Sequence, residues 1–252
     1  MLVSLLALVA TVSAVALPEP AALEQRQTCR IATSAELAAA REAFLREGII
    51  PPTPAQFDPA EAQLIPEFNP VSALAVTYGN KAVNLGNNFS TLETIPSPAF
   101  SFTREPNFGI HRNSSLILAL ENPLTRLHPD PATTKYTLIM ADPDAPNSET
   151  PILSPFLHMI VSDAQPDCVP TQRRRVVAPY MFPSPLSIAA HHYTFLIYRQ
   201  PPNYVAPAQL QNLPGLRARF PLVDYVTENG LIGPIAGNFF NEGLGNVLDI
   251  GA

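Results

Sequence analysis

Asp142-Pro143-Asp144-Ala145-Pro146 stands directly after an apolar run, and His158 and the triplet His191-His192-Tyr193 follow downstream. Two carboxylates and up to three imidazoles give and take protons near neutral pH, so the set suits acid/base work or the holding of a small ligand. Each proline fixes its own φ and biases the residue before it, here Asp142 and Ala145, toward extended geometry, so the loop has little freedom to lose on binding. Aspartate before proline is also ordinary turn chemistry, and a lone strand histidine such as His158 is ordinarily a hydrogen-bonded core residue. A metal site from His158, His191 and Asp142 has fitting ligand types but no local spacing that demands it; no metal or other cofactor is assigned.

Three short segments must position these groups. Tyr136-Thr137-Leu138-Ile139-Met140-Ala141 is apolar and bounded by turn residues, which reads as a strand buried on both faces with Asp142 at its end. From Phe156 to Asp163, period-two geometry places Phe156, His158, Ile160 and Ser162 on one face and Leu157, Met159, Val161 and Asp163 on the other. From His191 to Gln200, His191, Tyr193, Phe195, Ile197 and Arg199 share a face, opposite His192, Thr194, Leu196, Tyr198 and Gln200.

The order of these pieces resembles the phosphatidylethanolamine-binding protein family, also called Raf kinase inhibitor-like proteins. The resemblance rests on the pentad at 142 to 146, His158 in Phe-Leu-His-Met-Ile-Val, and His191 to Tyr198, where the family usually has His-Arg-Tyr before an apolar strand. It extends to Arg219-Phe220 and to Gly233-Pro234-Ile235-Ala236-Gly237-Asn238-Phe239-Phe240, and covers roughly 34 to 242. It implies a mainly β protein: a β-sandwich with a central antiparallel sheet, a few flanking helices and a small anion-accepting pocket at one end. Carried over by position, the ligand-binding residues are Asp142, Asp144, His158, His191 and Tyr193.

Two departures stand out. Where the family carries a Gly-Pro-Pro-x-Gly pocket wall, the stretch from Tyr180 to Ala190 has no glycine; Phe182, Ser187 or Ala189 fills space that a bare backbone would leave to a ligand. His192 stands where arginine is usual, which removes a permanent charge and its bidentate fork. Positive charge for an anion must then come from protonated histidines or from Arg173-Arg174-Arg175 in the loop between the second and third strands.

With 252 residues, 46% hydrophobic and 14% charged, the chain suffices for one sizeable core. Its net charge of -6 argues against general nucleic-acid binding. The 29 scattered prolines suit an all-β protein with many ordered loops. Leu2 to Val12 form an apolar core of signal-peptide length, with Ala14-Val15-Ala16 before a cut, too short for a spanning anchor; no Lys or Arg precedes it. The expected organisation is a signal peptide over 1–16, an extension over 17–32 and one domain over 33–252, with secretion or residence in the secretory lumen. Asn88-Phe89-Ser90 and Asn113-Ser114-Ser115 are glycosylation sequons at Asn88 and Asn113. In an oxidising compartment Cys29 and Cys168 either pair, stapling the extension to the loop before the arginine triplet, or remain two thiols. Thr33-Ser34-Ala35-Glu36 reads as a capping box opening a helix with Leu37, Ala40, Phe44 and Leu45 on one stripe and Gly48 as its stop. Pro51-Pro52-Thr53-Pro54 is a stiff connector, and Leu74 to Tyr78 begins the sheet. His111 and His128 read as surface residues.

Hydrolytic motifs are missing: no Gly-x-Ser-x-Gly elbow, no catalytic cysteine context and no His-Glu-x-x-His. Ser184 or Ser187 beside His191 with an aspartate makes a triad only if the fold supplies the geometry. The leading expectation is a secreted protein binding a small carboxylate or phosphate. A second is assistance in coupling anhydride or dicarboxylate polyketide monomers, a pathway with which some fungal family members are associated, with a polyketide intermediate or a biosynthetic enzyme as partner. A third, also implied by the resemblance, is inhibition of a serine carboxypeptidase.

Overall fold

The computed structural model describes residues 30–106, 134–169, 173–185, 187–208 and 216–247. Among these residues the central sheet has six strands in the order β3-β9-β8-β5-β6-β7: β3 (Asn87–Phe89), β9 (Ile232–Glu242), β8 (His191–Arg199), β5 (Tyr136–Asp142), β6 (Phe156–Ala164) and β7 (Arg175–Ala178). Neighbours are antiparallel except β3 and β9, which run parallel. A smaller sheet, β2-β1-β4, is built from β1 (Leu74–Tyr78), β2 (Lys81–Ala82) and β4 (Ala99–Phe102). Leu74 to Tyr78 therefore opens this second sheet and not the central one. The helices are α1 (Ser34–Arg46), α2 (Thr91–Thr94) and α3 (Leu222–Glu228). The mainly β sandwich is as expected.

All seven residues of β5 are buried, because sheet neighbours cover its edges and a separate core covers each face. On one face Leu138, Met140, Tyr193, Phe195 and Phe240 pack with Leu74, Val76 and Phe102 of the small sheet. On the other, Ile139, Leu196, Tyr198 and Phe239 pack with Ala43 and Phe44 of α1, Phe68, and Leu222 of α3. β8 divides between the two cores by strict alternation.

Helix α1 begins at the expected capping box: Thr33 Oγ1 accepts from the Glu36 amide at 3.2 Å and a Glu36 carboxylate oxygen accepts from the Thr33 amide at 2.8 Å. It ends just before Gly48, whose φ of 69° lies in the left-handed region that glycine enters without strain. Ala43 and Phe44 form its deepest contacts; Leu37 is only half-buried. The docking depends on a glycine in β9. A Cβ on Gly237 would lie 2.8 Å from Phe44 Cζ and 3.1 Å from Phe68 Cζ, so the missing side chain is the seat for two rings whose centroids are 4.3 Å apart.

G237A is expected to cost about 1–3 kcal/mol through overpacking, and F44A about 3–5 kcal/mol through the cavity it leaves. In a double-mutant cycle by urea denaturation the added methyl should cost clearly less in the F44A background, since the closer of the two rings is gone; strict additivity would refute this account of the docking.

Candidate functional site

Antiparallel pairing of β5 with both β6 and β8 brings the end of β5 and the starts of β6 and β8 to one end of the sheet. A cavity of about 400 Å³ lies there, within the size range of small-molecule sites. Asp142, His158, His191 and Tyr193 line it from the strand ends. Ala145, Pro146, Leu153 and Phe156 contribute further wall, and Met181, Phe182, Ser184 and Pro185 belong to the glycine-free loop. Phe182 is 44% exposed and so stands at the rim; Leu186 lies outside the described residues.

His158 reaches the cavity through a departure from period two. Ala141 faces Leu157 and Met140 faces Met159, which leaves His158 as the extra residue of a β-bulge. Strict alternation groups His158 with Ile160 and opposes it to Met159. Instead Ile160 packs in the helix-side core, Met159 in the other, and the His158 ring meets Tyr193 of that other core edge-on at 5.1 Å. The bulge turns the imidazole toward His191 and Tyr193.

Hydrogen bonds define the protonation states. His158 Nδ1 lies 2.7 Å from the Met181 carbonyl oxygen, which can only accept, so Nδ1 carries the hydrogen. The Met181 amide donates back to the His158 carbonyl at 2.9 Å. His158 Nε2 is buried and has no hydrogen-bond partner. Burial, with a smaller contribution from the Arg217 charge, pushes the His158 pKa down against the pull of Asp142, so the ring is neutral and Nε2 presents a lone pair. Arg217, fully buried, donates to the carbonyls of Leu157, His158 and Pro179 at 3.2, 2.9 and 2.7 Å and ties the start of β6 to the segment before β8.

Asp142 Oδ1 accepts from the Asp144 amide at 2.7 Å, and Oδ2 lies 2.8 Å from His191 Nδ1. Ser187 Oγ lies 3.0 Å from His191 Nε2 and donates to the Ala189 carbonyl at 2.7 Å. Burial opposes charge on His191, but the hydrogen bond and charge of Asp142, with Asp144 adding to them, outweigh it and raise the pKa. Burial and the nearby acids Asp142, Glu242 and Asp144 push the Tyr193 phenol far up, so it stays protonated.

Asp144, expected among the ligand residues, is not part of the cavity wall. Its Oδ2 accepts from the His192 amide at 2.7 Å and faces His192 Nδ1 at 2.9 Å, while His192 Nε2 lies 3.6 Å from a carboxylate oxygen of Glu47 at the end of α1. The reason is the alternation of β8, which turns His191 to the cavity and His192 to the helix side. The arginine triplet does not reach the site either. Arg174 covers the Phe100 ring at 4.0 Å and donates to the Phe100 carbonyl, and Arg175 pairs with Ser162, four residues along β6 from His158 and so about 13 Å away.

Arg217 and the Met181 carbonyl carry no signal in the sequence. A buried arginine bonded to carbonyls leaves no spacing signal, and the Met181 contribution is a backbone atom. Among the described residues no group of three or more His, Cys, Asp or Glu could hold a metal ion, and no helix is long and apolar enough to cross a membrane. Asn88 is exposed on β3. Cys168 is in a disulfide. Cys29, Asn113, His111 and His128, with the expected leader over 1–16, lie outside the described residues.

The phosphatidylethanolamine-binding protein family model matches residues 79–241. The chain belongs to the phosphatidylethanolamine-binding protein family. Among curated relatives of this family member, protein SELF-PRUNING of Solanum lycopersicum is 33% identical over 180 residues, 71% of this chain and 85% of that one. Among solved structures, a carboxypeptidase Y inhibitor complexed with its cognate proteinase aligns over 82% of this chain and 96% of its own with TM-score 0.58 at 21% identity. The phosphatidylethanolamine-binding protein of Plasmodium vivax aligns over 80% and 96% with TM-score 0.53 at 16% identity. These two share the fold.

The His192 cluster makes a pH prediction. Burial opposes its charge, but Asp144 and then Glu47 more than offset this and raise its pKa. A raised folded-state pKa adds stability that is fully present below the unfolded value and is lost as pH rises through the folded one. The deficit of H192Q relative to the unaltered chain should therefore be largest at about pH 5.5 and shrink toward about pH 9; urea titrations giving equal deficits at both ends would contradict it.

Proposed function

We propose that this family member is a secreted protein whose cavity binds a small carboxylic acid or phosphate monoester carried on an apolar body. The observation that carries this reading is the buried, unpartnered Nε2 of His158 in the cavity wall. Its lone pair accepts the acidic hydrogen of a ligand, or takes the proton outright and pairs with the resulting anion. The other polar groups are largely committed: both Asp142 oxygens and both His191 nitrogens have partners. No lysine or arginine is among the described residues lining the cavity, which favours a group delivered with its proton over a dianion. Leu153, Phe156, Met181, Phe182 and Pro185 accommodate hydrocarbon.

That apolar wall is what favours the second reading, in which the ligand is a carboxylate-bearing polyketide intermediate and the protein assists the coupling of such monomers. The name of the carboxypeptidase Y inhibitor motivates a serine carboxypeptidase as protein partner, checked by an inhibition assay with the intact chain.

Binding should consume a proton, because His158 is neutral when free and charged beside a bound anion. Affinity for hexanoate should accordingly rise as pH falls from about 8 to about 6. NMR should show His158 Nε2 becoming protonated at saturation, and H158Q should weaken binding at least about tenfold. If a panel of monocarboxylates, dicarboxylates and phosphate monoesters leaves the His158 resonances unmoved, the reading fails.

A further inference from the structure

The loop that stands in place of a glycine-rich wall carries a second arrangement. Ser187 Oγ lies 3.0 Å from His191 Nε2, and His191 Nδ1 lies 2.8 Å from Asp142 Oδ2. Hydroxyl on Nε2 and carboxylate on Nδ1 is the connectivity by which an imidazole takes a proton from a serine while the acid holds its tautomer and steadies the imidazolium. Its two ends are held from behind. The Asp144 amide fixes the other Asp142 oxygen at 2.7 Å, and the Leu244 amide holds the Ser187 carbonyl at 3.0 Å. Asp142 and His191 are buried, whereas Ser187 is only half-buried and so open to a reagent.

We propose that Asp142, His191 and Ser187 form a nucleophilic relay that transfers acyl groups from esters of apolar carboxylic acids. The placement of the acyl body in the adjoining cavity rests on the binding reading above. Ser187 Oγ bonds to the ester carbonyl carbon while its proton passes to His191 Nε2. The ester C–O bond then breaks, and the departing alcohol takes that proton from His191. Water, or a second hydroxyl compound, attacks the acyl-serine, gives its proton to His191 Nε2, and receives the acyl group as Ser187 Oγ leaves and recovers the proton.

The hydrogen positions describe the resting form. Ser187 gives its hydrogen to the Ala189 carbonyl, so its contact with His191 is one in which the imidazole donates; with Nδ1 donating to Asp142, the ring carries both hydrogens. Loss of one proton and rotation of the Ser187 hydroxyl toward Nε2 makes the competent relay. Ala189 is exposed, so water can take over at its carbonyl. The charged and titratable groups around His191 are Asp142 at the end of β5, Asp144 after it, His158 on β6, Tyr193 on β8 and Glu242 on β9. The acids, with the Pro146 carbonyl, hold the proton on His191 against burial, so the rate should rise with pH.

The test uses the full chain with a fluorophosphonate probe and with p-nitrophenyl hexanoate. Stoichiometric phosphonylation mapped to Ser187, ester turnover rising with pH, and a fall of about 100-fold or more in H191Q are expected. S187A should abolish both label and turnover yet keep hexanoate binding at His158 by NMR, which separates this proposal from the binding one. Absence of label on Ser187 in a chain that still binds hexanoate, or label on another residue, overturns the relay and leaves Ser187 a fastening for the loop. Peptide mapping of the unaltered chain decides this even if S187A fails to fold.

Discussion

Both oxygens of Asp142 are committed inside the protein, one to the Asp144 amide and one to His191 Nδ1, and the geometry of the site follows from that commitment. The first bond closes the pentad loop on itself, and the second fastens the end of β5 to the start of β8. Asp142 and His191 are 2% exposed, where an unpaired polar or charged group costs several kcal/mol, so neither can swing away without loss. Prolines alone would stiffen the loop without aiming it. The aspartate thus acts chiefly by positioning, and in the proposed binding the direct ligand contact falls to His158.

A second acid–imidazole pair, Asp144 with His192, lies one residue along β8 and on its other side. The two pairs clamp the pentad loop from opposite faces of the sheet. Glu47 extends the helix-side pair to the end of α1, and α1 is itself seated by Phe44 over Gly237 in β9. Loop, helix and two strands are therefore one mechanical unit. Histidine in the usual arginine position keeps the contact to Asp144 but makes its charge depend on pH.

Much of this was legible in the sequence. The buried run before Asp142, the alternation of β8, the capping box of α1 and the family motifs each carried a local signal that tertiary structure respected. Asp142, His191 and Tyr193 line the cavity for that reason. Asp144 does not, because an acid in a tight loop gives no periodicity from which its direction can be read. His158 reached the cavity despite the alternation assigned to it, since a bulge depends on the partner strand and not on the bulged residues alone. Arg217 and the Met181 carbonyl were illegible because their roles consist of backbone contacts between distant segments.

The glycine-free loop alters the surface that the cavity presents. A glycine-rich wall offers close backbone approach, whereas Met181, Phe182 and Pro185 offer apolar surface, and Ser187 occupies an imidazole nitrogen that would otherwise face solvent or ligand. The arginine triplet is held near the far end of β6, so it cannot restore a permanent positive charge. What remains is a proton economy: one imidazole stripped of its proton by burial and one holding it through an acid, both on the same cavity. Two titratable groups driven apart in this way differentiate an acceptor from a donor within one small space. In the proposed binding, such a pair discriminates between ligands by the proton they carry more than by the charge they bear.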